Sequence, residues 1–213
     1  SYVAPIQTRN PTVKSLSQIL KPLRIKRRAE LARIFLRYSR RRSSSLSLGD
    51  LSEPVVINLE KRADRLERVS NNLQSAGWAE FSIARAIERD NGALGCALSH
   101  IAVLEDLLNK PGEASIVFED DVEFYDYGET TLAVIAEFLS NPGLDVLLLS
   151  HVTPGPSLKV SKNLALTTRS RTTAAYVVKK VAVESLLAAF RESAFRLSLG
   201  ERGRSAAMDI VWW

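Results

Sequence analysis

Residues 115–124 read SIVFEDDVEF, an apolar run of β-forming residues that passes directly into three carboxylates. The composition of residues 115–118 predicts a buried strand, and Glu119, Asp120 and Asp121 follow at its end. Adjacent carboxylates repel one another and raise each other's pKa, so the cluster lowers stability unless a cation or solvent compensates it. Because ligands of open α/β sheets bind beyond the carboxyl ends of the strands, we favour a divalent cation over a solvated acidic turn. Carboxylate oxygens suit Mg²⁺ or Mn²⁺, and either ion can also hold a diphosphate.

Strands and helices alternate along the chain from residue 54 onward. Short runs rich in β-branched residues predict strands at residues 55–59, 81–87, 115–118, 145–149 and 174–178. Helical periodicity predicts helices at residues 64–76, 92–108, 130–140 and 181–190, and Asp64 is the predicted cap of the first. This alternation is typical of an α/β domain, so we expect a mostly parallel central sheet with helices on both faces.

The net charge of +5 is unevenly distributed along the chain. Residues 1–52 hold 12 lysines and arginines against two acids, a local charge of +10, and the remainder carries −5. One helical face within this segment is apolar and is formed by Leu31, Ile34, Phe35 and Tyr38. Two interpretations stay open for residues 15–42: a helix lying on an anionic membrane surface, and a helix packed on its own domain. Nucleic-acid binding is disfavoured because the aromatic residues lie on the apolar face and not among the arginines.

A serine-rich stretch at residues 43–47 separates this segment from the α/β region. We therefore expect a basic helical arm at residues 1–53 and one domain at residues 54–213. Cys96 is the sole cysteine, which excludes an intrachain disulfide and favours a reducing compartment. No run approaches the roughly 18 apolar residues of a membrane span, and none resembles the core of a signal peptide. The expected location is cytoplasmic, with peripheral attachment to the inner face of the membrane if the arm binds lipid.

A second unusual stretch, NGALGCALSH, spans residues 91–100. Gly92 and Gly95 at a helix start lower helix propensity, which indicates that the backbone must approach another group closely. Phosphate bound at the helix N-terminus and tight packing after a turn both account for this pattern. His100 lies beside the apolar stripe of the same helix, where a lone histidine is more often a core residue than a catalyst.

Three stretches together resemble the signature blocks of glycosyltransferase family 25, which includes bacterial lipooligosaccharide galactosyltransferases and collagen galactosyltransferases. They read VINLEKRADR at residues 56–65, GALGCALSH at 92–100 and VFEDDV at 117–122. The later AYVV at residues 175–178 and Met208-Asp209 resemble weaker C-terminal blocks, so the resemblance covers about residues 55–209. The order and spacing of three blocks make it far more specific than any single one.

The resemblance implies a GT-A-like fold and an inverting hexose transfer, commonly of galactose, from a nucleotide sugar such as UDP-galactose. The implied acceptor is a hydroxyl of a glycan or lipid-linked glycan in lipopolysaccharide, lipooligosaccharide or other surface-glycan synthesis. The acidic block matches Glu119, Asp120 and Asp121. It implies Asp120 and Asp121 as ligands of Mn²⁺ or Mg²⁺, and Glu119 and Asp120 as contacts of the nucleotide.

The other two blocks imply further substrate-binding residues. Asn58 stands at a strand end, where its amide can read the uridine or ribose. Arg62 or Arg65 can pair with phosphate, because guanidinium binds phosphate in a bidentate manner. Gly95 and Ser99 stand in the second block and are expected beside the donor.

Two residues are candidates for catalysis. His100 ends the second block and would lie against the implied donor site. Asp209 is the candidate general base that takes the proton of the acceptor hydroxyl. An acid at that position is equally often a helix cap, so both interpretations of Asp209 stay open.

Two other functions also stay open. The chain ends at Trp213, before the acceptor-side sequence usual in the family, which would suit a non-catalytic glycan- or membrane-binding relative. A metal-dependent phosphotransferase fits Ser150 at a strand end but lacks the lysine-bearing strand end that such enzymes use.

Overall fold

The computed structural model describes residues 45–124, 129–150, 157–167, 171–201 and 206–208. The helix predicted within residues 15–42, for which a membrane-bound position and packing on its own domain both stay open, lies outside these ranges, as does most of the arm assigned to residues 1–53. The described part begins with a single 3₁₀ turn at Leu48–Asp50, which leads into the α/β region.

Within the described residues, five strands form the central sheet, and two more form a separate hairpin. Their bounds are β1 Val55–Asn58, β2 Ser82–Arg85, β3 Ala114–Glu119, β4 Val146–Leu148, β5 Ser157–Lys159, β6 Ala165–Thr167 and β7 Ala175–Lys179. The central sheet has the strand order β2-β1-β3-β7-β4, and β5 pairs with β6. All five predicted strands are present, with ends shifted by one or two residues.

Four of the five central strands run in the same direction, which confirms the expectation of a mostly parallel sheet. β1 pairs in parallel with β2 and β3, whereas β7 is antiparallel to its neighbours β3 and β4. A parallel connection needs a crossover, usually helical. The described chain between β4 and β7 instead holds the hairpin β5–β6, so β7 enters in the opposite direction. The finer GT-A-like assignment stays a prediction.

The described part of the chain holds four α-helices: α1 Ala63–Ser75, α2 Gly92–Asn109, α3 Glu129–Ser140 and α4 Lys180–Ser198. None of the helices described is long and apolar enough to cross a membrane. α4 extends beyond its predicted end at residue 190. The reason is that Ser193, Ala194 and Leu197 continue its buried face past Phe190.

The prediction that Asp64 caps α1 was wrong. Arg62 occupies the N-cap position without a capping bond from its side chain, and Asp64 lies in the first turn. Both carboxylate oxygens of Asp64 accept hydrogen bonds of 2.8 Å from the Arg62 guanidinium. These bonds lower the pKa of Asp64 to about 2, and an acid in the first turn also suits the helix dipole.

Helices cover both faces of the sheet, as predicted. The cluster under α2 and α4 takes Val55, Ile57, Val117, Tyr176 and Val178 from the strands. The cluster under α1 and α3 takes Val56, Ile116, Phe118, Ala175 and Val177. Successive residues of one strand thus alternate between the two cores, the period of two expected for a strand buried on both faces. The carboxyl ends of β1 and β3 are therefore fixed between two packed layers.

Gly95 lets α2 touch the segment that follows β2. A Cβ atom at Gly95 would lie 2.6 Å from the carbonyl oxygen of Ile87 and 3.3 Å from the amide nitrogen of Arg89. Real Cβ atoms essentially never come that close to backbone oxygen. The close approach that the sequence indicates is therefore one between α2 and the protein's own residues 86–89. A Cβ at Gly92 would meet nothing within 4 Å.

Replacing the two glycines of α2 tests this packing. Gly95→Ala should lower the free energy of unfolding, because overpacking against backbone costs about 1–3 kcal/mol and alanine regains at most about 1 kcal/mol of helix propensity. Gly92→Ala is the matched control and should be neutral or stabilising. Urea unfolding followed by circular dichroism measures both. Equal stability of the two variants would contradict the close contact.

Candidate active site

The ends of β1 and β3 open into a cleft at one edge of the sheet. Ile57 of β1 is paired in register with Glu119 of β3, so Asn58 and Asp120 leave the two strands side by side. The cleft has a volume of about 250 Å³ and is lined on its polar side by Arg65, Ser99, His100, Glu119 and Asp120. The second and third sequence blocks therefore meet in space with part of the first.

Asp120 has both of its carboxylate oxygens bonded to the first sequence block. The Asn58 amide nitrogen donates to Oδ2 at 2.8 Å, and the Arg65 Nη1 donates to Oδ1 at 3.0 Å. The amide also donates to the carbonyl oxygen of Arg62 at 3.2 Å. Asn58 and Asp120 are both buried. The Asn58 amide thus binds both the Asp120 carboxylate and the backbone at the start of α1.

Asp121 is the exposed member of the acidic cluster. Half of its side chain is exposed, and its Oδ2 accepts a hydrogen bond of 3.3 Å from the same Arg65 Nη1. Burial raises the pKa of Asp121, the charges of Glu119 and Asp120 raise it further, and Arg65 offsets only part of this. The surroundings therefore disfavour the negative charge of Asp121, which a bound cation would stabilise.

Glu119 turns to the opposite side, toward α2. Its Oε1 accepts a hydrogen bond of 2.7 Å from Thr173 and lies 3.3 Å from His100 Nε2. Burial by itself raises the pKa of Glu119, but the bonds from His100 and Thr173 outweigh it and hold the pKa below its ordinary value. Glu119 and Asp120 thus turn to opposite partners, as the alternation of successive side chains predicts.

His100 is fully buried, as a core histidine would be, yet it also forms one wall of the cleft. Its Nδ1 lies 3.1 Å from the Tyr176 hydroxyl. Its ring stacks on Tyr176 at a centroid distance of 5.7 Å and meets the edge of Phe190 at 6.0 Å. Burial and the nearby charge of Glu119 raise the pKa of Tyr176 well above its ordinary value, so the hydroxyl keeps its proton. The packing and the polar contacts together define the orientation of the His100 ring.

Ser99 and Gly95 also line the cleft, but their polar groups serve the packing of α2. The Ser99 hydroxyl donates to the Gly95 carbonyl at 2.7 Å and accepts from the Ile87 amide at 2.7 Å. Both bonds hold the segment after β2 against α2. The predicted contacts of Gly95 and Ser99 with substrate stay predictions.

Two other predicted site residues lie apart from this group. Arg62 pairs with Asp64 on the surface of α1 and is not among the residues that line the cleft. Asp209, the candidate base, lies outside the described residues.

Three residues of the cleft wall have potential metal-ligand atoms within 4.8 Å of one another: Cys96, His100 and Glu119. The predicted ligands Asp120 and Asp121 lie beside Arg65 and outside this triad. Sequence reasoning did not single out Cys96, Tyr176 or Thr173. For Cys96, the signal is its spacing of four residues from His100 on one helix, which puts both side chains on the same face. Thr173 and Tyr176 reach the site through the pairing of β7 with β3, which the residue pattern does not show.

The fold and the cleft define an α/β protein with carboxylates grouped at the ends of its strands. Residues 90–198, slightly more than half of the chain, match the family model described as glycosyltransferase family 25 (LPS biosynthesis protein). The chain therefore belongs to glycosyltransferase family 25, as its sequence blocks predict. The matched segment contains α2, the three carboxylates, β7 and α4, and it begins after Asn58, Arg62 and Arg65.

Replacing Thr173 by valine tests the hydrogen bond to Glu119. The folded state lowers the pKa of Glu119 from its ordinary value of 4.5, so the charged carboxylate stabilises the fold at pH values above 4.5. That stability is lost as the pH falls through the folded-state pKa. Thr173→Val should therefore reduce the free energy of unfolding at pH 7, by about 1.5–3 kcal/mol for a bond to a charged group.

The deficit should shrink as the pH falls below 4.5, because Glu119 then begins to take up a proton and the bond no longer stabilises a full charge. Thr173→Ser keeps the hydroxyl and should keep most of the stability, which makes it the control. Urea titrations from pH 7 to pH 3.5 measure the effect. A deficit that stays constant with pH would mean that the Thr173 bond does not act on the charge of Glu119.

Proposed function

We propose that the chain transfers a hexose from a nucleotide sugar to a hydroxyl of a glycan or lipid-linked glycan. The proposed donor is UDP-galactose, the proposed outcome is inversion at the sugar carbon, and the proposed setting is lipopolysaccharide or surface-glycan assembly. The observation that carries this proposal is the cleft where β1 and β3 end, in a chain of a glycosyltransferase family. The Arg65 guanidinium, the Asp120 carboxylate and the pair of His100 and Glu119 face one space there.

Arg65 is the proposed partner of the donor diphosphate. Its Nη1 contacts both Asp120 and Asp121, and about a third of its side chain is exposed to the cleft. Arginine binds phosphate oxygens well because its planar fork offers several donors at once. Residues 59–61 and 85–88 line a second depression beside the cleft. Its volume is about 350 Å³, and we propose that it accommodates the nucleoside.

Asp120 and Asp121 fit a hard divalent cation. Both accept from the same nitrogen of Arg65, so their oxygens lie close together, and oxygen ligands are those that Mg²⁺ and Mn²⁺ prefer. The raised pKa of Asp121 shows a carboxylate whose charge lacks sufficient compensation. When bound, the cation would neutralise the charge that develops on the departing diphosphate.

The remaining chemistry is the removal of one proton from the acceptor hydroxyl as its oxygen attacks the sugar carbon. We keep Asp209 as the proposed base. His100 is enclosed by Tyr176 and Phe190, so its proposed role is to orient Glu119 toward the cleft. We therefore propose His100 as a positioning residue for the transfer and not as a group that touches the reacting atoms.

Nucleotide binding tests the proposal first. Thermal unfolding is measured with uridine diphosphate and with guanosine diphosphate, each with and without Mn²⁺. A ligand that binds only the native state stabilises by RT ln(1 + [L]/Kd), about 2.7 kcal/mol at a concentration of 100 Kd. Release of free sugar from the sugar donor then separates a transferase from a binding relative, because a binding relative releases none. Absence of both effects would reject the proposed function.

Asp121→Asn should reduce metal-dependent transfer without destabilising the fold. Because burial and neighbouring acids disfavour the charge of Asp121, an uncharged amide should leave the free energy of unfolding unchanged or slightly higher. Asp106→Asn is the control, since Asp106 is an exposed carboxylate of α2 that pairs with Lys110. Turnover and Mn²⁺ affinity in the presence of uridine diphosphate are measured for both. Normal turnover and normal Mn²⁺ affinity in Asp121→Asn would contradict the metal assignment.

Two substitutions of Arg65 test its proposed contact with the donor diphosphate. Arg65→Lys keeps a positive charge near Asp120 but loses the planar fork, so it should keep most of the stability and bind uridine diphosphate about tenfold more weakly, or 1.4 kcal/mol. Arg65→Gln should lose stability as well, because Asp120 is buried and loses its counter-charge. Arg68→Lys, three residues along the same helix, is the control. Calorimetric affinities that do not differ between Arg65→Lys and Arg68→Lys would exclude Arg65 from the donor site.

A further inference from the structure

We propose that Cys96, His100 and Glu119 form a binding site for a borderline transition-metal ion, of which Zn²⁺ is the natural representative. This site is separate from the oxygen-ligand site proposed at Asp120 and Asp121. It does not rest on the proposed transfer reaction, because it follows from the donor atoms and their spacing alone.

The three ligand atoms converge from two elements of the fold. Cys96 and His100 lie one turn apart on α2, and Glu119 stands where β3 ends. All three ligand atoms lie within 4.8 Å of one another, and His100 Nε2 is 3.3 Å from Glu119 Oε1. In a tetrahedral zinc site with bonds of about 2.0–2.3 Å, neighbouring ligand atoms lie about 3.3–3.6 Å apart. One pair already has this spacing, and the Cys96 sulfur lies within 4.8 Å of both other ligand atoms.

Both polar ligands are held by second partners, as in known metal sites. The Tyr176 hydroxyl lies 3.1 Å from His100 Nδ1, and Thr173 donates to Glu119 Oε1 at 2.7 Å. When Nδ1 carries the ring proton and donates to Tyr176, the lone pair of Nε2 points at the Glu119 carboxylate. Two acceptors at 3.3 Å need a proton or a cation between them. Such partners orient metal ligands and raise metal affinity.

The donor set selects the class of metal. Thiolate sulfur and imidazole nitrogen favour Zn²⁺, Co²⁺ and similar ions, whereas Mg²⁺ and Mn²⁺ favour oxygen. The three residues supply one sulfur, one nitrogen and one oxygen, and all of them line the cleft. Three protein ligands would leave one position of a tetrahedral ion for a further ligand. Because all three residues line the cleft, a molecule in the cleft would supply that ligand.

The two proposed metal sites divide the acidic cluster between them. Asp120 faces Asn58 and Arg65, whereas Glu119 faces His100 and Thr173. Substitutions at Cys96 and at Asp121 should consequently affect different ions.

Cobalt binding is the direct test, carried out on the full chain without a polyhistidine tag and in the presence of a phosphine reductant. Co²⁺ bound by a thiolate gives a near-ultraviolet charge-transfer band, and a tetrahedral site gives intense visible bands. We expect both, at one equivalent, and we expect Zn²⁺ to abolish them whereas excess Mg²⁺ does not. Absence of the charge-transfer band, or displacement of Co²⁺ by Mg²⁺, would overturn the proposal.

Variants identify the ligands. Cys96→Ser should remove the charge-transfer band, and Glu119→Gln should weaken Co²⁺ binding by about tenfold while keeping the bond from Thr173. Asp121→Asn should leave the band and the Co²⁺ affinity unchanged. If Asp121→Asn removes the band, or Cys96→Ser keeps it, the separate site does not exist.

Thiol labelling gives a second measurement that needs no variant. Cys96 is the sole cysteine, so the rate of alkylation measured by mass spectrometry reports on this residue alone. Zn²⁺ should slow the alkylation of Cys96, and Mg²⁺ should not. An alkylation rate that Zn²⁺ leaves unchanged would contradict coordination by Cys96, whatever the state of transferase activity.

Discussion

The bond between Asn58 and Asp120 fixes the geometry on which the cleft depends. It joins the ends of β1 and β3 across their parallel pairing, and the same amide binds the carbonyl of Arg62 at the start of α1. Because Asp120 is buried, its carboxylate must be fully satisfied, and Arg65 on the first turns of α1 supplies the charge. The position of α1 is thus coupled to the acidic cluster. A buried carboxylate that lost either partner would be strongly destabilising.

The side of the cleft formed by α2 depends on a different kind of contact. Gly95 allows the helix to touch the carbonyl of Ile87, and Ser99 binds the amide of that same residue. These contacts set the depth at which His100 stands between the ring of Phe190 and the carboxylate of Glu119. A small shift of α2 would separate His100 from Glu119. The geometry of the site therefore depends on the close packing at Gly95.

Much of the architecture could be predicted from the sequence, because it depends on local patterns. The β-branched runs and the apolar stripes located the five central strands and the four helices, including both faces of the sheet. The direction of β7 and the hairpin β5–β6 were not predicted, since they depend on tertiary pairing of short, half-exposed segments. Asp64 was assigned to the wrong position because the neighbouring Arg62 competes for its carboxylate. Thr173 contacts Glu119 and Tyr176 contacts His100, and the pairing of β7 with β3 brings these distant parts of the sequence together.

The acidic cluster shows why identical residue types at consecutive positions need not act as a unit. Alternation of successive side chains turns Glu119 toward a histidine and Asp120 toward an arginine, and Asp121 lies half-exposed in the turn that follows β3. Their pKa shifts diverge accordingly, downward for Glu119 and upward for Asp121. Glu119 is held in its charged form beside nitrogen and sulfur donors, whereas Asp121 stands where oxygen donors and solvent meet. A single edge of the sheet therefore holds two chemically different environments, one with nitrogen and sulfur donors beside Glu119 and one with oxygen donors at Asp120 and Asp121.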